Sequence, residues 1–452
     1  MTRADTARPA PLEILDDLVA RARKAGAEAA DAVMFEGASL AVSYRLGKPE
    51  DLERAESTDL GLRVLLGKRQ AFVSSDDTSP KALDELVERA LAMARAAPED
   101  PYCGLADPDL LAREIVDLDL DDPTPEPTAE ALTERAAAAE AAALAVPGVT
   151  NSEGAEASWG RTAVALATSH GFRGAYGASS HGIAVSVVAG EGTAMERDYD
   201  YCSTRHLDDL DEADALGRRA GERAVRRLGP RKAASGTAPV LFDPRVANSL
   251  LHHLAAAVNG AAVARGTSFL KDRMGEKLFA AGIDIIDDPH RRRGLRSKPF
   301  DGEGVAGRRR EIVADGHLTT WLLDSASGRQ LGLGTTGHAS RGTGAPPSPA
   351  ATNLYLAPGT ATPAELMADV ESGLYVSELI GFGVNHVTGD YSRGAAGFWI
   401  EGGELAYPVS ELTIAGNLKD MFAALTPAND LVFRYGADAP TLRIDGMTVA
   451  GT

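Results

Sequence analysis

The sequence predicts an α+β protein of two domains, and three observations support this. The chain has 452 residues, which is more than one hydrophobic core usually organises. Its first half mixes helical periodicity with strand-like alternation, which predicts antiparallel strands flanked by helices at 1–230. Beyond Ser268, short apolar runs alternate with Gly-rich turns. That pattern is typical of a curved, barrel-like antiparallel sheet with a few helices, expected at 231–452.

The N-terminal elements follow from local patterns. Apolar residues recur at helical spacing from Leu12 to Ala22, which predicts a first helix that ends before Gly26. Alternation predicts strands at 40–46 and 60–64, a turn at 67–68 and a strand at 71–74. Ser79 and Pro80 form an N-cap and a first helical residue, so a second helix is expected up to about residue 97.

The segment from 98 to 127 is rich in Pro and Asp and is predicted to be an acidic linker. A solvated connector accounts for its acidity better than a metal site does. An Ala-rich helix is expected at about 128–146, three or four short strands within 149–201, and a charged helix at about 209–228.

The second half opens with a short apolar strand at 239–242. Asp243 and Pro244 then cap a helix whose apolar positions recur at helical spacing and which also carries His252 and His253. One more helix is expected at 363–372.

Composition excludes several classes of function. The net charge of −19 argues against nucleic-acid binding, because a binder must neutralise phosphates with clustered basic residues. The basic stretch from Arg291 to Lys298 is short and is interpreted as a solvated loop. Cys103 and Cys202 form no Cys-x-x-Cys pair. No signal peptide or membrane span is recognisable, so a cytoplasmic location is expected.

Gly302, Gly304 and Gly307 have the spacing of a dinucleotide-binding fingerprint. Residues 308–313, which follow, have the pattern of a strand, so no helix N-terminus would be offered to a pyrophosphate. A hairpin loop is the preferred interpretation.

His252 and His253 lie where a zinc peptidase could hold its metal. Such a site needs two imidazoles on one side of a helix and a carboxylate base beside them. Adjacent side chains diverge by roughly 100° on a helix, and residues 254–258 (Leu-Ala-Ala-Ala-Val) supply no further ligand and no base. The sequence therefore predicts no metal site and no catalytic residue in this helix.

The glycine-flanked run from Asp390 through Tyr391, Ser392 and Arg393 to Gly394 is polar. It fits a loop that lines a cleft, and it fits equally a tight turn in which Asp390 pairs with Arg393. No Ser/His/Asp triad can be assembled from spacing, because triad members meet in space and not in sequence.

Four stretches in the second half resemble the PmbA/TldE branch of the TldD/PmbA (modulator of DNA gyrase) metalloprotease family. They occur in the order expected of that family. These stretches are 299–305 (PFDGEGV), 315–323 (DGHLTTWLL), 331–338 (LGLGTTGH) and 389–421, which begins GDYSRGAAGFWIE.

The resemblance implies a protomer that pairs with a TldD-like catalytic subunit around a cavity for unfolded peptides or modified-peptide precursors. TldD-type members carry His-Glu-x-x-x-His on the corresponding helix and a cysteine near the C-terminus. By position these helical residues fall on His252, His253 and Ala257; a shift of one residue instead matches His253 to a histidine usual in TldE-type members. The stretch 435–442 contains no cysteine.

We therefore expect a subunit without catalytic residues and without a bound cofactor, the zinc being carried by the partner. Residues 390–394 are expected on the cavity wall, with Ser392 and Arg393 as polar contacts. Two alternatives remain open. One is a self-sufficient metal-dependent peptidase that recruits His386 or Asp390 to His252 or His253. The other is a homo-oligomeric peptide-binding module.

Overall fold

The computed structural model describes residues 10–451, in which an N-terminal sheet with its helices is joined to a C-terminal half that contains further sheets. The N-terminal half is built on one six-stranded antiparallel sheet with the strand order β3-β2-β1-β4-β5-β6. Its strands are β1 (Ala29–Arg45), β2 (Lys48–Leu66), β3 (Arg69–Ser75), β4 (Val149–Thr168), β5 (Arg173–Ala189) and β6 (Glu196–Thr204). Its helices are α1 (Pro11–Lys24), α2 (Pro80–Ala96), α3 (Ala129–Leu144) and α4 (Ala213–Arg226).

The four predicted N-terminal helices are confirmed, including the cap of α2, where the Ser79 side chain accepts from the backbone N–H of Ala82. The strands are longer than predicted. Region 149–201 is spanned by three long strands that extend to 204, and not by short ones. The hairpin of β1 and β2 projects into solvent, so residues 48–57 are exposed and show no apolar alternation that could have marked them as strand.

One face of this sheet is covered by the helices, and one end of the other face contacts the C-terminal half. Even-numbered residues of β1, such as Ala32, Met34 and Val42, lie in the cores formed with the helices. Odd-numbered Val33 belongs instead to a cluster with Phe300 of the second half. The alternation of side chains along one strand therefore places both halves of the molecule against the same sheet.

The C-terminal half contains a closed ring of strands. The strand order is β16-β15-β14-β7-β19-β17, and β16 also pairs with β19, so five strands close on each other. All pairs are antiparallel except β14 with β7. The ring strands are β7 (Gly236–Phe242), β14 (Ser372–Ile380), β15 (Asp390–Glu401), β16 (Glu404–Asn417) and β19 (Leu442–Ala450). The predicted α+β class with a barrel-like second domain is confirmed.

The remaining elements pack around that ring. A five-stranded sheet has the order β10-β9-β8-β13-β18, and β11 pairs with β12. These strands are β8 (Ile285–Asp287), β9 (Arg310–Ala314), β10 (His317–Leu318), β11 (Ala339–Ser340), β12 (Ser348–Pro349), β13 (Leu354–Leu356), β17 (Leu425–Pro427) and β18 (Ala437–Asp438). The helices are α5 (Pro244–Ala257), α6 (Gly260–Ala264), α7 (Ser325–Gln330), α8 (Pro363–Met367) and α9 (Leu418–Ala423). The helix predicted at 363–372 ends five residues early, because Ser372 already begins β14.

The structure changes one sequence interpretation and agrees with another. The acidic segment 98–127 is not simply a solvated connector, since Leu118, Leu120 and Asp122 are buried and Arg293 of the second half donates its backbone N–H to the Leu118 carbonyl. The triple-glycine motif forms a turn in which the Asp301 carboxylate accepts from the backbone N–H groups of residues 303 and 305. No helix follows that turn, as predicted, and the chain continues into β9.

Among the helices of residues 10–451, none combines the length and apolar character needed to cross a bilayer.

Candidate functional site

Helix α5 is the element that would carry a metal site. Asp243 caps it by accepting from the backbone N–H of Arg245, and Pro244 occupies the first turn. Its buried positions, from Val246 to Ala257, belong to the main core of the second half. The helix is therefore held rigidly, and its two histidines have fixed directions.

His252 and His253 diverge as predicted and enter different environments. His252 is exposed. Partial desolvation of its imidazole and the positive charge of Arg296 lower the pKa of His252, while the carboxylate of Asp438 acts in the opposite direction. A neighbouring guanidinium opposes a cation on this side of the helix.

The position of the second helical ligand offers no donor side chain. Ala257 is fully buried, and its carbonyl accepts from the Ser268 hydroxyl at 2.5 Å. Within residues 10–451, no group of three or more His, Cys, Asp and Glu side chains is arranged to hold a metal ion. The donor set around His252 and Ala257 therefore does not fit a catalytic zinc.

His253 lies instead in a polar cluster beneath strand β15. Its ring centroid is 5.7 Å from that of His386 and 6.0 Å from that of Tyr391, the latter in an edge-on arrangement. Burial and the nearby His386 and Arg393 lower the pKa of His253 to about 4. His253 is therefore neutral at pH 7.

This cluster concentrates unsatisfied polar atoms. Buried atoms without a hydrogen-bond partner include Nε2 of His253, Nδ1 of His386, the hydroxyl of Tyr391 and Nε of Arg393. Arg393 forms no ion pair within the described part of the chain. Buried polar groups are normally hydrogen-bonded, so a cluster of unsatisfied ones indicates a place where another molecule or ordered water completes the bonding.

Residues 390–394 form a strand and not the predicted loop or tight turn. They begin β15, where they pair with β16, and Gly394 pairs with Ile380 of β14 as well. The alternative pairing of Asp390 with Arg393 is wrong, because the Asp390 carboxylate accepts from the Thr388 hydroxyl and the Asn417 amide. The conformation was missed because glycines on both sides of the run suggested a turn, whereas neighbouring strands hold it extended.

Strand alternation divides the predicted wall residues between two faces. Tyr391 and Arg393 point towards α5, where Tyr391 is 1% exposed. Asp390 and Ser392 lie on the opposite, exposed side. Of the two proposed additional ligands, His386 therefore approaches His253, and Asp390 does not.

The segment between β14 and β15 presents apolar side chains beside this cluster. Phe382 is 98% exposed, and Ile380 and Val387 are both more than half exposed. Exposed apolar side chains grouped on one segment are typical of surfaces that contact another molecule. The sequence patterns did not identify this segment. Phe382, an apolar residue between two glycines in a polar loop, could have indicated an exposed contact residue.

A second feature that the sequence did not predict is a cavity at the junction of the two halves. It has a volume of about 330 Å³ and is lined by residues of β6 and its following turn together with residues 291–295, Asn353 and 433–438. The basic stretch interpreted as a solvated loop supplies one of its walls. Arg291 stacks on Phe433, with its guanidinium carbon 3.4 Å from the ring centroid.

Comparison with known proteins identifies matches along most of the chain. Three family models match: PmbA/TldA metallopeptidase domain 1 at 30–94, the central domain at 122–228 and the C-terminal domain at 235–451. Metalloprotease PmbA of Escherichia coli O157:H7 is 38% identical over 97% of this chain and 96% of its own length. The Metalloprotease PmbA homolog of Haemophilus influenzae is 38% identical over 95% and 94%.

Solved structures agree on the fold. A protein from Bacteroides thetaiotaomicron described as a modulator of DNA gyrase superposes with a TM-score of 0.89 at 27% identity, covering 97% of this chain and 98% of that one. TldE from Thermococcus kodakarensis superposes with a TM-score of 0.86 at 19% identity, covering 96% and 99%. At that lower identity the likeness concerns the fold alone.

Proposed function

Because this chain belongs to the PmbA/TldD metallopeptidase family, we propose that it is the non-catalytic, substrate-binding subunit of a heteromeric metalloprotease. Its partner is a TldD-like subunit that carries the zinc. The substrates are unfolded peptides or modified-peptide precursors, and the complex acts in the cytoplasm.

The observation that carries the proposal is the donor set on α5. A zinc peptidase needs imidazoles and a general base that converge on one point. Here His252 faces a guanidinium, His253 is turned towards a different cluster, and Ala257 contributes no side-chain donor. A chain of this family with such a helix can bind and position a peptide, whereas the metal chemistry falls to another subunit.

The binding role is supported by the surface around β15. Tyr391, Arg393 and His253 have polar atoms without partners, and Phe382 exposes nearly its whole side chain beside them. Of these, the partly exposed Arg393 offers a cationic donor and Phe382 an apolar contact to an extended peptide, whereas the Tyr391 hydroxyl is buried. Main-chain hydrogen bonding along strands would add affinity with little demand on sequence.

A reconstitution experiment tests this proposal. The chain, a TldD-like partner and their mixture are each assayed on an unfolded peptide, with and without a chelator. We expect chelator-sensitive cleavage by the mixture and none by this chain alone. Chelator-sensitive cleavage by the isolated chain would refute the helper role.

The same assay tests whether Arg393 contributes to peptide binding. Arg393→Ala removes a cationic donor from the cluster and should reduce turnover by the mixture about ten-fold, as expected for loss of one charged contact. Arg54→Ala, on the exposed hairpin, is the matched control and should leave turnover unchanged. Unchanged turnover with Arg393→Ala would remove this residue from the peptide-binding wall.

The proximity of His253 to His386 favours one competing function, a metal-dependent peptidase acting alone. Two imidazoles with rings 5.7 Å apart could share a metal ion, but Arg393 lies beside them and opposes a cation. Elemental analysis of the purified chain separates the two functions. Near-stoichiometric zinc that survives dialysis would support the competing one, and its loss in His253→Gln would assign it to this cluster.

A further inference from the structure

The cavity between the two halves has a strongly basic wall in an otherwise acidic protein. The chain carries a net charge of −19, yet five arginines and two aspartates line this cavity. The five are Arg205, Arg291, Arg292, Arg293 and Arg434. Positive side chains gathered around a concave space focus a field that attracts anions.

Two of these arginines lack a carboxylate partner within residues 10–451. Arg205 is partly buried and donates to the backbone carbonyls of Ser179, Gly294 and Leu295. Burial lowers the pKa of Arg205, and the group that opposes this shift is the Tyr176 hydroxyl. Arg291 stacks on Phe433 and forms no ion pair among the described residues, although the nearby Asp438 carboxylate interacts with it electrostatically. A cationic side chain without a directly paired carboxylate favours binding of an anion.

The other basic side chains are partly neutralised and serve to fix the wall. Arg292 and Arg293 both pair with Asp119, at 3.2 Å and 2.7 Å, and Arg293 also pairs with Asp209 at 3.0 Å. Arg434 pairs with Asp211 at 3.2 Å. These pairs tie both halves of the chain together, so the cavity is held open without a ligand.

The two lining carboxylates leave the positive charge in excess. Asp438 is buried, its oxygen accepts from the backbone N–H groups of Arg434 and Tyr435 at 2.8 Å, and burial raises its pKa. Asp209 is engaged with Arg293. Neither carboxylate contacts Arg291 as an ion-pair partner.

We propose that this interdomain cavity is an anion-binding site that accepts a carboxylate of a peptide, with Arg291 as its principal contact and Arg205 and Arg292 supplying the surrounding positive charge. A guanidinium presents paired N–H donors that match the two oxygens of a carboxylate. A volume of about 330 Å³ admits a side chain and neighbouring main chain. This inference rests on the proposed function, since it names the peptide class that the subunit selects.

Calorimetry on the full-length chain tests the site with three probes. The first is an N-acetylated, C-amidated peptide with two glutamates, the second is the same peptide with glutamines, and the third is inorganic phosphate. We expect the glutamate peptide to bind about ten-fold more tightly than the glutamine peptide, with the difference shrinking at high salt. Equal affinities of the two peptides would overturn the proposal.

Matched arginine variants locate the binding. Arg291→Gln should abolish the preference for glutamate, whereas Arg54→Gln, which removes the same charge from the exposed hairpin, should retain it. Thermal melts of both variants verify folding, and a misfolded Arg291→Gln is replaced by Arg292→Gln, whose side chain is 67% exposed. A preference for the glutamate peptide that persists in the folded variant of Arg291 or Arg292 would refute the assignment to this cavity. Arginine-dependent binding of phosphate alone would refute the peptide carboxylate as ligand.

The test of the cavity and the test of the proposed function can fail independently of each other. Cleavage of the glutamine peptide by the mixture with a TldD-like partner does not require this cavity. If the cavity fails its test, cleavage by the mixture still supports the helper role. If the mixture is inactive, the calorimetric preference still reports on the cavity.

Discussion

At the scale of single residues, two adjacent histidines show how neighbours determine chemistry. His252 and His253 have the same side chain and differ by one helical position, yet one faces Arg296 and Asp438 and the other packs against His386 and Tyr391. Sequence spacing predicts that they diverge. It contains no information about which groups each will meet.

His253 should titrate far below an ordinary histidine. Its pKa is lowered to about 4 by burial, His386 and Arg393, and NMR titration of the imidazole carbons would measure it. Arg393→Gln removes one positive charge and should raise that pKa. A midpoint near 6.5 in the unmodified protein would show that the ring is solvated and that the cluster is not as described.

The lowered pKa of His253 also determines how the stability of the protein depends on pH. Because the folded pKa lies below that of the unfolded chain, the unfolded chain binds more protons between about pH 4 and pH 6.5. His253 therefore lowers stability as the pH falls through that window. Comparison of urea midpoints at pH 7 and pH 5 should show a smaller loss in His253→Gln than in the unmodified chain.

At the scale of elements, helices α3 and α4 depend on small residues where they touch. A Cβ added at Gly217 would lie 2.0 Å from the carbonyl oxygen of Ala139, and one added at Gly221 would lie 2.8 Å from that of Ala143. The backbones of the two helices thus approach too closely for any side chain. The alanine-rich composition of α3 is the matching half of this contact.

Gly217→Ala should therefore destabilise the protein despite the higher helix propensity of alanine. Overpacking in a tight contact costs about 1–3 kcal/mol, which outweighs the roughly 1 kcal/mol gained from propensity. Chemical denaturation measures the difference. Arg218→Ala, the exposed neighbour on the same helix, should change the unfolding free energy by less than about 0.5 kcal/mol. A stabilised Gly217→Ala would contradict the close helix contact.

At the scale of the whole molecule, a buried ion triad of Asp31, Arg63 and Arg341 connects the two halves. Asp31 of β1 lies opposite Arg63 of β2 and accepts from its Nε at 2.8 Å. The same carboxylate pairs with Arg341 of the C-terminal half at 2.6 Å, and all three side chains are almost inaccessible. The guanidinium groups hold the pKa of Asp31 below its usual range despite burial.

Removing the shared carboxylate should strongly lower the free energy of unfolding. Asp31→Asn leaves two buried guanidinium groups without the carboxylate that they share, and breaking a buried pair typically costs about 3–5 kcal/mol. Asp84→Asn breaks only an exposed pair with Arg21 and should cost less than about 1 kcal/mol. Denaturant unfolding of both variants tests this. A similar decrease in unfolding free energy for both variants would show that the triad is solvated and does not join the halves.

Local pattern was sufficient to predict the long helices α1 to α5, the α+β class and the barrel-like second half, because side-chain periodicity and capping residues act over a few positions. The short helices α6, α7 and α9 were not predicted. The sequence also showed that α5 lacks a second ligand and a base, since that depends on residue identity alone. Tertiary structure alone decided that residues 390–394 are strand, that Arg393 joins His253 and His386, and that a basic stretch lines a cavity. Those outcomes depend on pairing and packing between segments far apart in the chain, which no local spacing encodes.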